Sequence, residues 1–242
     1  MRRGDALYES RVSYFERLGG LDITILHPRG VPKSLDDAVG RRMSAEEAQG
    51  CFECHTTPAP GQTRFDLDRL APGVGCEGCH GPGERHVASV KAKDYDNPQI
   101  FNPRTLDALD LTQDFCGACH MSFDKVMLMP GQGGLNNLRF QPYRVFKSGA
   151  HFLDDARMTC VACHDPHDRT RRDSAFYDAK CLACHLSGAG DTATPERSAP
   201  PCPTAARECV TCHMPKVELP EMHAKFTDHW IRVAKPGEPV PN

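Results

Sequence analysis

Aromatic side chains are scarce in this sequence of 242 residues: they make up 7% of it, with a single tryptophan. Such a composition does not describe an ordinary hydrophobic core. No run of 18 or more apolar residues is present, so no transmembrane segment is expected. The opening Met-Arg-Arg-Gly-Asp has basic residues with no apolar stretch behind them, so it does not read as a secretion signal. Lys and Arg number 29 against 32 Asp and Glu, and they are dispersed, which argues against nucleic-acid binding. Turn formers, in contrast, are plentiful. Proline and glycine number 20 each, so long regular elements should be few.

The other abundance is in cysteine and histidine, 13 and 12 residues. Twelve of the cysteines fall in six pentapeptides of the form Cys-x-x-Cys-His. These are Cys51–Cys54–His55, Cys76–Cys79–His80, Cys116–Cys119–His120, Cys160–Cys163–His164, Cys181–Cys184–His185 and Cys209–Cys212–His213. A lone Cys-x-x-Cys would equally suit a zinc ribbon or a thioredoxin-like redox site. At this composition chance puts a histidine after a given cysteine about once in 20, yet one follows all six pairs, and a zinc ribbon has no use for it there. The pattern is that of c-type haem attachment. A single turn presents two thiols to the vinyl groups of one porphyrin edge, and the histidine falls under the iron as proximal ligand. Six covalent haems c are therefore expected, with His55, His80, His120, His164, His185 and His213 proximal.

Six haems in 242 residues leave about 40 residues for each, so the porphyrins must supply much of the apolar interior. A compact body of this length has a radius of gyration of ~18 Å. Six porphyrins in that volume must approach closely, and closely packed haems conduct electrons. The formal charge of −3 becomes roughly −9 once six ferric haems with ionised propionates are counted. Arg169, Arg171 and Arg172 either neutralise propionates or belong to a solvated loop.

Six histidines remain for the second axial positions: His27, His86, His151, His167, His223 and His229. That equality favours bis-histidine iron. His167 lies three residues after His164, a span of about 10 Å that cannot round the macrocycle, so it would serve a different haem. His223 and His229 are six apart, about 240° round a helix, and would point to two irons. Met121, Met158 and Met214 are conceivable substitutes. Cys202 is the odd cysteine, read as a free thiol.

The chain divides on this reading into an N-terminal helical segment (1–50), a multihaem domain (51–234) and a Pro-rich tail (235–242) expected to be extended or mobile. Tyr8, Tyr14, Phe15, Leu18 and Leu21 suggest one amphipathic helix ending at Gly19-Gly20. Ser34 with Asp37 and Ser44 with Glu47 read as caps of two short helices. The motifs begin at 51, 76, 116, 160, 181 and 209, an uneven spacing that excludes a regular solenoid and groups 51 with 76 and 181 with 209. Residues 187–204 read as a surface loop.

Three stretches resemble a known family. Gly73-Val74-Gly75-Cys76-Glu77-Gly78-Cys79-His80-Gly81-Pro82-Gly83 with His86 behind it is similar to the second haem segment of the cytochrome c-554 group. Cys160 to His167 is similar to segments of that group and of the wider assembly of multihaem nitrite reductases and hydroxylamine oxidoreductases. Cys209 to Lys216, followed by Phe226 to Arg232, resembles their closing segment. The resemblance spans roughly residues 50–233 and implies a mostly α fold with extensive irregular loops. It also implies haems in alternating stacked and perpendicular pairs, and His86, His167 and His229 as distal ligands. The chain departs from the reductases in having no Cys-x-x-Cys-Lys motif, and the tyrosine cross-link context of a hydroxylamine oxidoreductase is missing. It exceeds the four haems of c-554 by two.

The expected function is electron transfer without a substrate, between redox partner proteins such as other cytochromes or quinol-linked membrane complexes. Two alternatives stay open. One is an oxidoreductase acting on a small nitrogen compound at an open-coordinated haem. The other is a subunit of a homo-oligomer or extracellular cytochrome filament. Thioether attachment takes place outside the cytoplasm, so a periplasmic or extracellular location is expected, with the export leader absent from the given chain.

Overall fold

The structure is a computed structural model, and it describes residues 1–57, 66–128, 134–151, 157–185 and 202–241. Contacts divide the chain into two units, Met1–Thr105 with Pro220–Ala224, and Leu106–Leu219 with Lys225–Asn242. The division falls after the second Cys-x-x-Cys-His motif.

The first unit opens with strands in place of the expected helix: β1 (Arg2–Arg3), β2 (Ala6–Ser10), β3 (Val12–Phe15) and β4 (Gly20–Ile23). Val12, Tyr14 and Phe15 are β-branched or aromatic, and exposure alternates along β3, which suits a pleated surface better than a helix. Gly19-Gly20, which reads as a helix end, instead closes the β3–β4 hairpin, with Gly19 at φ +64° and its N–H donating to Phe15 O at 2.9 Å. Two helices follow as their caps predict. Ser34 accepts from Asp37 N–H at the start of α1 (Leu35–Val39). After β5 (Gly40–Arg42), Ser44 and Glu47 form a reciprocal capping box at the start of α2 (Ala45–His55).

Strand β5 pairs antiparallel with β2, and Gly40 is the residue that allows it. At φ +144°, a Cβ there would lie 1.9 Å from Glu9 O. Arg11, 4% exposed, reaches the carbonyls of Pro28 and Gly30 and so pins the loop after the hairpin. The unit continues through β6 (Thr56–Thr57), β7 (Ala71–Pro72), α3 (Cys76–His80) and α4 (Glu84–Lys91).

The second unit begins with a π-helix, Asp110–Cys116, that runs into α5 (Gly117–His120), followed by α6 (Phe123–Leu128). A 3-10 turn, Gly134–Arg139, leads to α7 (Gln141–Phe146). Short helices α8 (Cys160–Cys163), α9 (Ser174–His185) and α10 (Cys209–His213) come next, and β8 (Lys216–Leu219) and β9 (Ala224–Thr227) form a closing hairpin. The protein core of this unit is small: Val126, Phe140 and Tyr143, with Met121 and Phe123 against them. At about 1.5–3 kcal/mol per buried side chain, so few residues cannot offset the entropy of ordering the unit. Large apolar side chains elsewhere lie open, among them Leu26 at 89% and Val31 at 91% exposed.

Helices occupy more of the described residues than strands do, the connections are irregular, and the strands are short. The tail is ordered at its far end, where Pro241 O accepts from Arg144 Nη1 at 2.8 Å. Most of the expected 187–204 loop lies outside the described residues. Cys202 is within them and exposed.

Candidate functional site

Each of the six pentapeptides sits on or at the end of a helical turn, so its two thiols share one face of one turn. The first closes α2, the second forms α3, and the third spans the junction of the π-helix with α5. The fourth is α8, with His164 already extended at φ −118°, ψ 140°. The fifth ends α9, and the sixth is α10.

Turns adjacent in sequence are tied together by single side chains. In the first unit, Thr57 Oγ1 donates to Gly73 O at 2.9 Å and accepts from Gly75 N–H at 2.7 Å, one residue before Cys76. The end of the first motif therefore anchors the start of the second. In the second unit, the buried Asp178 on α9 accepts from Glu208 N–H at 2.7 Å and Cys209 N–H at 2.8 Å, capping α10 from a distance. Glu208 itself is left-handed, with φ +57°. These two ties join the motif pairs 51/76 and 181/209.

Two pairs of thiols in the second unit also lie side by side, Cys116 with Cys160 and Cys181 with Cys209. A hydrogen bond with Cys116 draws the Cys160 thiol down to about 7 against its burial. Burial, helped by Asp178, pushes Cys209 up to about 12. Thioether formation removes both titrations, so what persists is the proximity of the attachment points.

The histidines separate into classes by which ring nitrogen is engaged. His80, His86, His213 and His229 each donate Nδ1–H to a backbone carbonyl, of Phe101 (2.8 Å), Pro98 (2.6 Å), Arg232 (3.0 Å) and Thr227 (2.9 Å) respectively. A carbonyl only accepts, so the lone pair of each ring sits on Nε2, the arrangement of an imidazole prepared for metal. Desolvation holds His229 down to about 4, keeping it neutral as a ligand must be. His27 and His223 differ. Their Nε2 atoms donate to Glu9 Oε2 at 3.2 Å and Asp22 Oδ2 at 2.7 Å. His223 also stands at φ +47° just before β9, so it and His229 flank a strand and not one helix, contrary to the 240° argument.

Two candidate distal histidines face proximal ones. The rings of His164 and His229 are 6.2 Å apart between centroids and tilted 35°. Those of His151 and His185 are 5.9 Å apart at 29°. An imidazole bonds a metal at about 2.0–2.1 Å, and its ring centre lies about 1.2 Å behind the bonding nitrogen, so two rings sharing one iron have centroids about 6.5 Å apart. Both pairs lie close to that separation. Behind His164 stands Tyr177, ring edge to face at 5.7 Å, with its hydroxyl donating to Arg171 O at 3.0 Å. His167 is exposed, near Asp165. Arg169, Arg171 and Arg172 are all exposed, Arg171 stacking over Phe176 at 4.7 Å. Arg232 Nε, in contrast, is buried with no acceptor, a donor that a haem carboxylate would satisfy. By ring spacing, Nδ1 engagement and orphaned donor, the residues present fit haem.

Sequence reasoning passed over Thr57, Tyr177, Asp178 and the buried Arg144–Asp228 pair. All act across long stretches of chain and belong to no local motif.

Comparison with known proteins bears on the same point. Residues 31–81 match the family described as cytochrome c554 and c-prime. Over 214 residues the chain is 27% identical to the multiheme cytochrome MtrA of Shewanella baltica, covering 83% of this chain and 54% of that protein. The chain thus spans about half the length of that curated relative. No solved structure matches. Among the described residues no helix is long and apolar enough to cross a membrane. These two matches support a multihaem c-type cytochrome, and the helical Cys-x-x-Cys-His turns are in keeping with it.

Proposed function

We propose that this protein is a hexahaem electron carrier whose irons are mostly bis-histidine ligated. The observation that carries the reading is the facing of His164 by His229 at 6.2 Å, repeated at His185 and His151 at 5.9 Å. Cys51, Cys54, Cys76, Cys79, Cys116, Cys119, Cys160, Cys163, Cys181, Cys184, Cys209 and Cys212 would hold six haems through thioethers, with the six following histidines as proximal ligands. His86, His151, His167 and His229 are the distal ligands best supported. His27 and His223 would each have to leave a carboxylate to join them.

Bound haem supplies a one-electron ferric/ferrous couple. The chain's residues do the rest. Nδ1–H donation to backbone carbonyls fixes the tautomer of His80, His86, His213 and His229 and raises their basicity, which favours the ferric state and lowers potential. Asp178 and Thr57 hold neighbouring attachment turns at fixed separation, so electron transfer needs no rearrangement of the chain. Thioether attachment argues for a location outside the cytoplasm, and the partners would be other redox proteins. The test is an intact mass with a spin-state spectrum of the purified holoprotein. Six haem masses and predominantly low-spin iron are expected. A substantial high-spin component would favour the open-coordinated enzyme instead.

A further inference from the structure

The deepest charges in the described protein belong to Arg144 and Asp228, both 0% exposed, and the attachment chemistry uses neither. Arg144 on α7 donates Nε to Asp228 Oδ1 at 2.9 Å and Nη2 to Oδ2 at 2.8 Å, a bidentate pair. Its remaining nitrogen is held by Asn137 Oδ1 at 3.0 Å and by Pro241 O. Arg232 adds a contact to Asp228 Oδ2 at 2.6 Å. Burying such a pair is at best weakly stabilising compared with apolar packing, so its presence asks for another reason.

The residue after Asp228 is His229. Asp228 Oδ1 also accepts Trp230 N–H at 3.0 Å. Ser148, just beyond α7, donates its hydroxyl to His229 O at 3.2 Å and accepts Ile231 N–H at 2.9 Å. The backbone on both sides of His229 is therefore bound to one helix and its end, while Nδ1 is bound to Thr227 O. Around Trp230, moreover, Arg144, Lys147 and Arg232 stack at 5.2, 5.3 and 5.7 Å. Of the charges in these contacts, Asp228 alone is negative.

We propose that Arg144, Asp228 and Ser148 are positioning residues that fix the azimuth of the His229 imidazole opposite His164, with Asp228 holding down the potential of that one haem. The inference rests on the reading of His229 as an iron ligand. An imidazole plane free to rotate would blur the ligand field, whereas a backbone clamped at residues 228, 229, 230 and 231 keeps one orientation. Removing the only negative charge of the cluster favours the electron-rich ferrous state.

The experiment uses the holoprotein carrying Asp228→Asn, Arg144→Met, Ser148→Ala or His229→Ala, each checked by intact mass for six haems and followed by EPR and spectropotentiometry. Asp228→Asn is expected to raise the midpoint of one haem of six and alter the g-values of one low-spin signal, leaving five unchanged. Ser148→Ala, which keeps every charge, should broaden the same signal with little shift of midpoint. It also serves if the buried-charge variants do not fold. His229→Ala should turn that haem high-spin. If His229→Ala does so while the other variants lose only thermal stability, the positioning role is overturned and the ligand assignment stands. If His229→Ala leaves every iron low-spin, the ligand assignment falls and the positioning role with it.

Discussion

The carboxylate of Asp178 accepts the backbone N–H of Cys209 at 2.8 Å, so the helix carrying the fifth attachment motif caps the helix carrying the sixth. A cap supplied from elsewhere in the fold does two jobs. It satisfies donors that a five-residue helix would otherwise leave open, and it holds the fifth and sixth Cys-x-x-Cys-His turns together.

Replacing Asp178 with Ala should cost about 1–2 kcal/mol through the lost cap. The check is reversible thermal unfolding of the holoprotein, with the potentials of the two C-terminal haems followed in parallel. Both stability and the coupling between those haems should fall.

Stability should also depend on pH through the same group. Burial opposes ionisation of Asp178, but hydrogen bonds from Cys209 and Glu208 outweigh it and hold the carboxyl below its usual range. A depressed folded value means that the contribution is complete above the unfolded value near pH ~4 and is lost as pH falls through the folded one. Melting temperature measured from pH 6 down to 3 should drop in the lower half of that range. Asp178→Asn should flatten the drop.

The two classes of histidine should respond differently to removal. His229→Ala is expected to convert one haem to high-spin, visible in the optical spectrum. His27→Ala removes a ring whose Nε2 faces Glu9 and is expected to leave all spin states as they were. A high-spin band in the His27 variant would return that residue to the ligand set.

Gly40→Ala should be among the most damaging single substitutions in the first unit. The added methyl would overlap Glu9 O at 1.9 Å in a backbone conformation that alanine avoids, a cost of about 2–4 kcal/mol. Hydrogen exchange at β2 and β5 would report the loss directly.

Without haem the chain should not fold cooperatively. The buried apolar residues among those described are Ala48, Leu111, Val126, Leu138, Phe140, Tyr143 and Leu219, too few for a domain of this size. Protein made where haem is not attached should show no sharp thermal transition and rapid proteolysis. A cooperative transition in colourless material would overturn this.

The sequence by itself pointed to the attachment chemistry, because two thiols and an imidazole fall within five consecutive residues, little more than one helical turn. It also determined the caps at Ser34 and Ser44, which are contacts over three residues. It misled over residues 8–21, where Tyr8, Tyr14, Phe15 and Leu21 fit a helical period, and pairing of β2 with β5 and of β3 with β4 chose the strands. Tertiary structure alone decided which imidazoles come near one another. His164 and His229 lie 6.2 Å apart between ring centroids, with Arg144 and Asp228, 84 positions apart, closing a buried ion pair next to His229, and an interaction that depends on folding to exist leaves no trace in local sequence.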